Sequence, residues 1–438
     1  MKTPINYEIV KEEIEKSGLP VVGNATIREL VRLVNKIEAR TGEKFIRMEM
    51  GVPGLQPPQI AIDAEIEALR QGVSSKYPMM EGDAQLKIEI SRFAKLFLDI
   101  DVSSEYCLPT VGAMQGSMAC FMVANRSDKN KEGTLFIDPG FPVQKQQCKV
   151  LGHNYYSFDV YNYRGQKLRA KLEEFFQTGK VSTVLYSNPN NPSWIAFTEE
   201  ELMIIAELSD KYDVIVLEDL AYFGMDFRQD YSQPGVAPFQ PTIAKYTDNY
   251  ILLISSSKSF SNAGQRIGMM LISDKLFNRR YPDLKRFYST DGFGYSMIYG
   301  ALYALSSGVT HSAQKGLAAM LKAANDGTFN FLEPVREYGE RAKVMKKLFT
   351  DNGFKIVYDK DLENPIADGF YFTYSYPGMS GVELLEKMLY YGISAISLNI
   401  TNSERIEGIR ACVSQTNSTQ FATLEARLKQ FNEDQING

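Results

Sequence analysis

The chain has 438 residues, of which 44% are apolar and 23% charged, the balance of a folded protein too long for one compact core. Its formal net charge of −5 and the absence of any long basic run exclude the electrostatic footprint of a nucleic-acid-binding protein. Two histidines leave little material for an imidazole-rich metal site or a Ser-His-Asp triad, and four scattered cysteines without metal-type spacing fit reduced core residues better than a disulfide frame, so Lys, Asp, Tyr or a cofactor is expected to carry any chemistry.

In chain order, residues 1–16 are polar and acidic, without the apolar core of a signal peptide. No run of about 18 apolar residues follows, so a cytoplasmic protein without a membrane partner is expected. A helical pattern over 27–39 is expected to pack with a small domain. The glycine turn Thr110-Val111-Gly112-Ala113-Met114-Gln115 then leads into a helical run through Ala124. Short β-branched apolar runs at 134–137, 181–186, 214–217 and 250–254 alternate with amphipathic patterns such as 168–176 and 198–212, the latter opened by a Thr-Glu-Glu-Glu capping pattern. This alternation predicts an α/β fold with a mostly parallel sheet. The last third differs, with a helix over 333–352 and short strands at 354–358 and 369–375, and predicts a smaller α+β domain. The expected division is a large domain at 49–314 and a small one built from 1–48 and 315–438.

Each of the four strands runs directly into a polar cluster. These are Asp138-Pro139-Gly140-Phe141, Ser187-Asn188-Pro189-Asn190-Asn191-Pro192, Glu218-Asp219-Leu220-Ala221-Tyr222 and Ser255-Ser256-Ser257-Lys258. Open α/β sheets bind ligands at the carboxyl ends of their strands, so four such clusters on one edge would build a site.

A lysine in a serine-rich loop is ordinarily a solvated residue. Here Arg266 follows eight positions on, in Asn262-Ala263-Gly264-Gln265-Arg266-Ile267-Gly268. A phosphate dianion needs several charge-assisted donors, and a guanidinium offers two parallel ones. Backbone N–H groups at the start of the helix after Gly112 suit an anion as well. Together these strings resemble the fold-type I pyridoxal-phosphate-dependent aminotransferases of class I and II, the aspartate aminotransferase-like group. The resemblance runs from about Thr26 to Cys412, and its strength lies in the order and spacing of the motifs.

The resemblance implies a seven-stranded, mostly parallel sheet and pyridoxal 5'-phosphate as cofactor. Lys258 would carry the cofactor, with Ser255, Ser257, Arg266, Gly112, Ala113 and Met114 at its phosphate. Asp219 would pair with the pyridine nitrogen; Glu218 is the competing acid, and the Asp-x-x-Tyr spacing favours Asp219. Tyr222 and Asn191 would hydrogen-bond the ring oxygen, and Phe141 would stack on the ring. Arg410, in Ile409-Arg410-Ala411-Cys412, would clamp the substrate carboxylate, with Gly51 beside the substrate. Tyr77 matches a tyrosine that reaches the neighbouring subunit's phosphate, which implies a homodimer.

The implied reaction is transamination between an L-amino acid and a 2-oxo acid. A lyase on the same scaffold, such as one cleaving a carbon–sulfur bond, shares the first proton abstraction. A non-catalytic cofactor-binding regulator is the remaining alternative, disfavoured because Lys258 and Asp219 are both present. Two departures concern the substrate side: Trp194 stands where the family's Asn-Pro turn usually ends in glycine, and Ile396-Ser397-Leu398-Asn399 replaces a usual Pro-Gly turn and Phe-Gly pair. Arg28, Lys285 and Arg286 could answer a second carboxylate, and Tyr288, Phe293 and Tyr295 could line an aromatic pocket or merely pack.

Overall fold

The β-branched runs form the centre of a seven-stranded sheet in the computed structural model, which describes residues 3–437. Its strands are β1 (Cys107–Thr110), β2 (Gly133–Asp138), β3 (Asn154–Asp159), β4 (Val181–Ser187), β5 (Ile215–Leu220), β6 (Tyr250–Ser255) and β7 (Gly268–Ile272). They lie in the order β1-β7-β6-β5-β4-β2-β3, all parallel except β7, which runs antiparallel to both neighbours. The middle strands are buried along nearly their whole length, which is why they read as unbroken apolar runs rather than as alternation.

The edge strands are harder to read. Pro109 sits inside β1, a position open to proline only because that strand is an edge. β3, on the other edge, is partly exposed and opens with Asn154 and two tyrosines, Tyr155 and Tyr156. The core between sheet and helices takes Leu108, Phe136, Leu185, Leu217, Leu253 and Met270, one from each of six strands. Helix α1 (Gly112–Ala124) is apolar on all sides because it is buried on nearly all of them. Helix α2 (Pro142–Val150) starts with proline at its first position, and α3 (Glu199–Tyr212) starts at Thr198, whose side chain and that of Glu201 form a complete capping box.

The chain divides into two compact units. One comprises Leu55–Pro189 and Ala196–Val335 and contains the sheet; the other comprises the residues up to Gly54, Asn190–Ile195 and those from Arg336 onward. In the second unit β8 (Tyr371–Ser375) pairs antiparallel with β9 (Ile409–Cys412), flanked by Lys355–Ile356 and Ile396–Ser397. Ile46–Arg47 pairs parallel with Ile393–Ser394, which ties the amino-terminal segment into this unit. The helix expected over 333–352 runs Glu337–Asp351, because Pro334 first opens a separate 3-10 turn.

All four cysteines are buried and free. Among the described residues no helix is long and apolar enough to cross a membrane, and no cluster of acidic, His or Cys side chains could hold a metal ion. Phe293 is core, and Tyr288 packs against that core with its hydroxyl donating to the Met122 carbonyl at 2.8 Å. Lys285 and Arg286 pair with Asp291 and Asp283 on the surface.

Candidate active site

Strand register gathers one group of candidates. Gly268, the first residue of β7, is paired with Thr110 on one side and Ser255 on the other. Gly112 lies two residues beyond Thr110 and Arg266 two before Gly268, so the glycine turn, the serine-lysine loop and the arginine emerge together at one end of the sheet. Asp219 pairs with Leu253 and with Ser187, which brings the ends of β4 and β5 to the same edge.

The turn after β1 is shaped around this edge. Gly112 has φ 65° and opens α1; a Cβ there would run into the Arg266 guanidinium. Arg266 is itself left-handed, with φ 52°, and its Nη1 donates to the Ala263 carbonyl at 2.8 Å. Ser255 and Ser257 are buried, and the Ser257 amide donates to Ser255 Oγ at 3.1 Å. Ala113 and Met114, in the first turn of α1, are half-buried. Gly112→Ala is expected to lower stability by about 1–2 kcal/mol, from the left-handed backbone and the collision with Arg266, in a chemical denaturation midpoint compared with wild type.

Lys258 is half-buried in the turn that follows β6. The turn closes with the Ser261 amide on the Lys258 carbonyl at 3.1 Å, and Ser259 Oγ donates to the Phe223 carbonyl at 2.6 Å. That bond ties the lysine's turn to the segment holding Tyr222, itself buried.

Neighbouring acids Glu218 and Asp219 point to opposite faces of β5, as successive strand residues must. Glu218 accepts from Thr242 Oγ1 at 2.6 Å, the Ile243 amide at 3.1 Å and Tyr186 Oη at 3.3 Å. Burial nevertheless pushes its pKa up to about 7. Asp219 accepts from Gln144 Nε2 at 2.9 Å and from the Ala221 amide at 3.1 Å, both neutral donors, and forms no ion pair among the described residues. Burial pushes its pKa up to about 6, against the pull of those two hydrogen bonds.

Phe141 is the residue before α2, and the first turn of that helix supplies two contacts not legible in the sequence. Gln144 reaches Asp219, and Lys145 makes a buried ion pair with Asp138, at the end of β2, at 2.5 Å. Neither carries a motif signal, since a Gln and a Lys beginning a helix look like ordinary surface residues. Tyr77 stands apart from this group, 90% exposed.

The second unit gathers the remaining candidates. Arg410, on β9, is only 2% exposed. Its Nη2 donates to the Glu49 carbonyl at 2.5 Å, its Nη1 lies 3.4 Å from Asn191 Oδ1, and its guanidinium sits 4.6 Å from the Tyr371 ring centroid. Among the described residues it has no carboxylate partner, and its buried Nε has no hydrogen bond. Glu49 is committed instead to Arg47 at 2.6 Å and to Ser394 Oγ at 2.6 Å. Gly51 lies against the Tyr371 hydroxyl, which occupies the space a Cβ would need. The departing segment 396–399 backs this strand: Ile396 pairs with Arg410, and Ser397 Oγ donates to the Gly23 carbonyl at 2.7 Å.

These features have counterparts in known proteins. The sequence profile of the aminotransferase class I and II family matches residues 43–427. The chain is 24% identical to the probable aspartate aminotransferase of Methanocaldococcus jannaschii over 326 residues, 69% of this chain and 82% of that protein. It is 24% identical to the LL-diaminopimelate aminotransferase of Natranaerobius thermophilus over 253 residues, 56% of this chain and 62% of that protein. In fold it is similar to the aspartate aminotransferase of Thermotoga maritima, with a TM-score of 0.75 at 18% identity, covering 97% of this chain and 99% of that one. The profile match spans most of the sequence, and the chain belongs to the aminotransferase class I and II family, enzymes of amino-group transfer known to use pyridoxal phosphate.

Proposed function

We propose that this chain exchanges an amino group between an L-amino acid and a 2-oxo acid, using pyridoxal phosphate held on Lys258, and works as a homodimer. The observation that carries the reading is Asp219: a buried carboxylate with only neutral donors, at the same sheet end as Ser255, Ser257 and Lys258. A buried acid without a cation is costly and takes up a proton unless a positive group joins it. A protonated ring nitrogen supplies that group, and the turn at Gly112, the two serines and Arg266 offer the donors a phosphate needs. The residues present therefore fit the cofactor.

When bound, pyridoxal phosphate supplies a carbonyl that takes up amines and a ring that accepts the electron pair left at Cα. Lys258 Nζ would anchor the cofactor at rest and, once released, would take the proton from the substrate's Cα and deliver it to the cofactor carbon. Asp219 would keep the ring nitrogen protonated, Tyr222 and Asn191 would serve the ring oxygen, and Phe141 would stack on the ring. Arg410 and Gly51 take the substrate carboxylate; a buried guanidinium without an acid partner suits a carboxylate ligand.

Exposed apolar side chains support pairing with a second copy. Tyr295, Tyr299 and Tyr303 recur every fourth residue, Ile62, Ile66 and Leu69 line one face of the helix Gln59–Arg70, and Tyr77 projects nearby in sequence. Wild type is expected to sediment at twice the 49.4 kDa chain mass, and Tyr295→Glu with Tyr303→Glu to sediment as a monomer.

The functional test is an absorbance spectrum of purified wild type beside Lys258→Ala, before and after L-aspartate, LL-diaminopimelate or other L-amino acids are added without an oxo acid. Wild type should show a visible cofactor band that moves to shorter wavelength with a productive donor, with release of the matching oxo acid. A wild type that takes up no pyridoxal phosphate would sink the reading; pyruvate plus a thiol as products would replace transamination with lyase chemistry.

A further inference from the structure

Trp194 is the chain's one tryptophan. Its backbone has φ 65°, a conformation that a bulky L side chain rarely adopts, yet its ring is 1% exposed. The turn around it is well made. The Trp194 amide donates to the Asn190 carbonyl at 2.9 Å, the Asn190 amide to the Ile195 carbonyl at 2.9 Å, and Asn190 Oδ1 accepts from Ser193 Oγ at 2.7 Å. The indole lies over the backbone of Gly369, where no side chain could fit, and meets the Tyr371 ring edge-on at 6.2 Å between centroids.

Tyr371 is the link to Arg410. On the paired strands β8 and β9, Tyr371 lies opposite Cys412 and Thr373 opposite Arg410, so Tyr371 and Arg410 are diagonal neighbours on one face. The ring lies under the guanidinium, and the hydroxyl ends beside Gly51. A ring holds a guanidinium by its π face without consuming N–H donors and without cancelling its charge. A carboxylate in the same place would do both. Asn191, in the same turn as Trp194, reaches the guanidinium from another side.

We propose that Tyr371, braced by Trp194, is the positioning residue that holds Arg410 in place while leaving it free to bind a substrate carboxylate. The proposal rests on the reading of Arg410 as the carboxylate binder. It gives the tryptophan a role in place of the usual glycine: a wedge that locks the Asn190–Ile195 turn and the Tyr371 ring together around the arginine.

The test uses cofactor-loaded protein: wild type, Trp194→Gly, Trp194→Phe, Tyr371→Leu, Tyr371→Phe and Gly369→Ala. Trp194→Gly, Tyr371→Leu and Gly369→Ala should each raise KM for the donor about tenfold with kcat within about threefold, because loss of a cation–π support weakens carboxylate binding more than chemistry. Trp194→Phe and Tyr371→Phe, which keep a ring, should stay within about threefold of wild-type KM. Propionate, a carboxylate without an amino group, supplies a direct reading, since Trp194 emission reports this place alone. Its half-saturation concentration should rise about tenfold in Tyr371→Leu.

Unchanged KM and propionate values in Tyr371→Leu and Gly369→Ala overturn the proposal even if Trp194→Gly does not fold. So does a wild type that turns over normally while its emission ignores propionate. A wild type that binds no pyridoxal phosphate overturns the functional reading itself, and the cofactor spectrum of each variant separates the two failures.

Discussion

Lys258→Ala should lower kcat by at least about 10⁴-fold, since the substitution removes both the covalent attachment point and the base at Cα, and general base catalysis alone contributes about 10²–10⁴. Lys258 sits in a turn held by its own carbonyl and by Ser259 on Phe223, contacts made without the lysine amine, so the variant should fold as wild type does. The decisive measurement is exchange of the donor's Cα proton in deuterated water, followed by NMR. Wild type should exchange it without an oxo acid present, and the variant should not. Exchange at the wild-type rate would assign the base to another residue.

Asp219→Asn carries the second large effect. Replacing one partner of a buried charge pair costs about 3–5 kcal/mol, so cofactor affinity should fall by about 10²–10³-fold or more, and turnover with it. The sign of the pH dependence follows from burial. Without a cation beside it, the Asp219 carboxyl is pushed from the ordinary 3.8 up to about 6. Such a group destabilises the cofactor-free protein as pH rises from 3.8 through about 6, because the fold prefers the protonated form that the unfolded chain gives up sooner.

Binding a positively charged ring nitrogen requires the ionised form. Cofactor affinity should therefore be level above about 6 and fall below it, by at most tenfold per pH unit. In Asp219→Asn that dependence should vanish. Equilibrium dialysis across this range tests it, and a wild-type affinity flat from pH 5 to 7 would show that Asp219 is not the partner of the ring.

Much of this architecture was legible before any coordinates. The four apolar runs lie within or across β2, β4, β5 and β6, and the capping pattern at Thr198 and Glu201 opens α3 as expected. These are local properties: side-chain shape favours extended backbone, and a hydroxyl three residues before a glutamate satisfies the free amides of a helix start. The edge strands β1 and β3 were less legible, because an edge is defined by what does not pair with it, and a proline or an exposed tyrosine is tolerated there.

The candidate residues were named by spacing along the chain, yet their company was decided by register and burial. The family resemblance, through the order and spacing of its motifs, marked Lys258, Arg266, Asp219 and Arg410 as residues of interest. Only the antiparallel insertion of β7 between β1 and β6 brings the Gly112 turn, the serines and Arg266 to one end of the sheet. Asp219 and Glu218 are both buried, and only their partners on opposite faces of β5 tell them apart: Gln144 and the Ala221 amide hold Asp219, while Thr242, the Ile243 amide and Tyr186 hold Glu218. Trp194 looked like a break in a glycine turn and became a buried wedge over Gly369 and Tyr371. Local chemistry is written residue by residue and so was set by the sequence itself; which groups meet, and which are left without an acid partner, depends on contacts between distant segments, and those the tertiary structure alone decided.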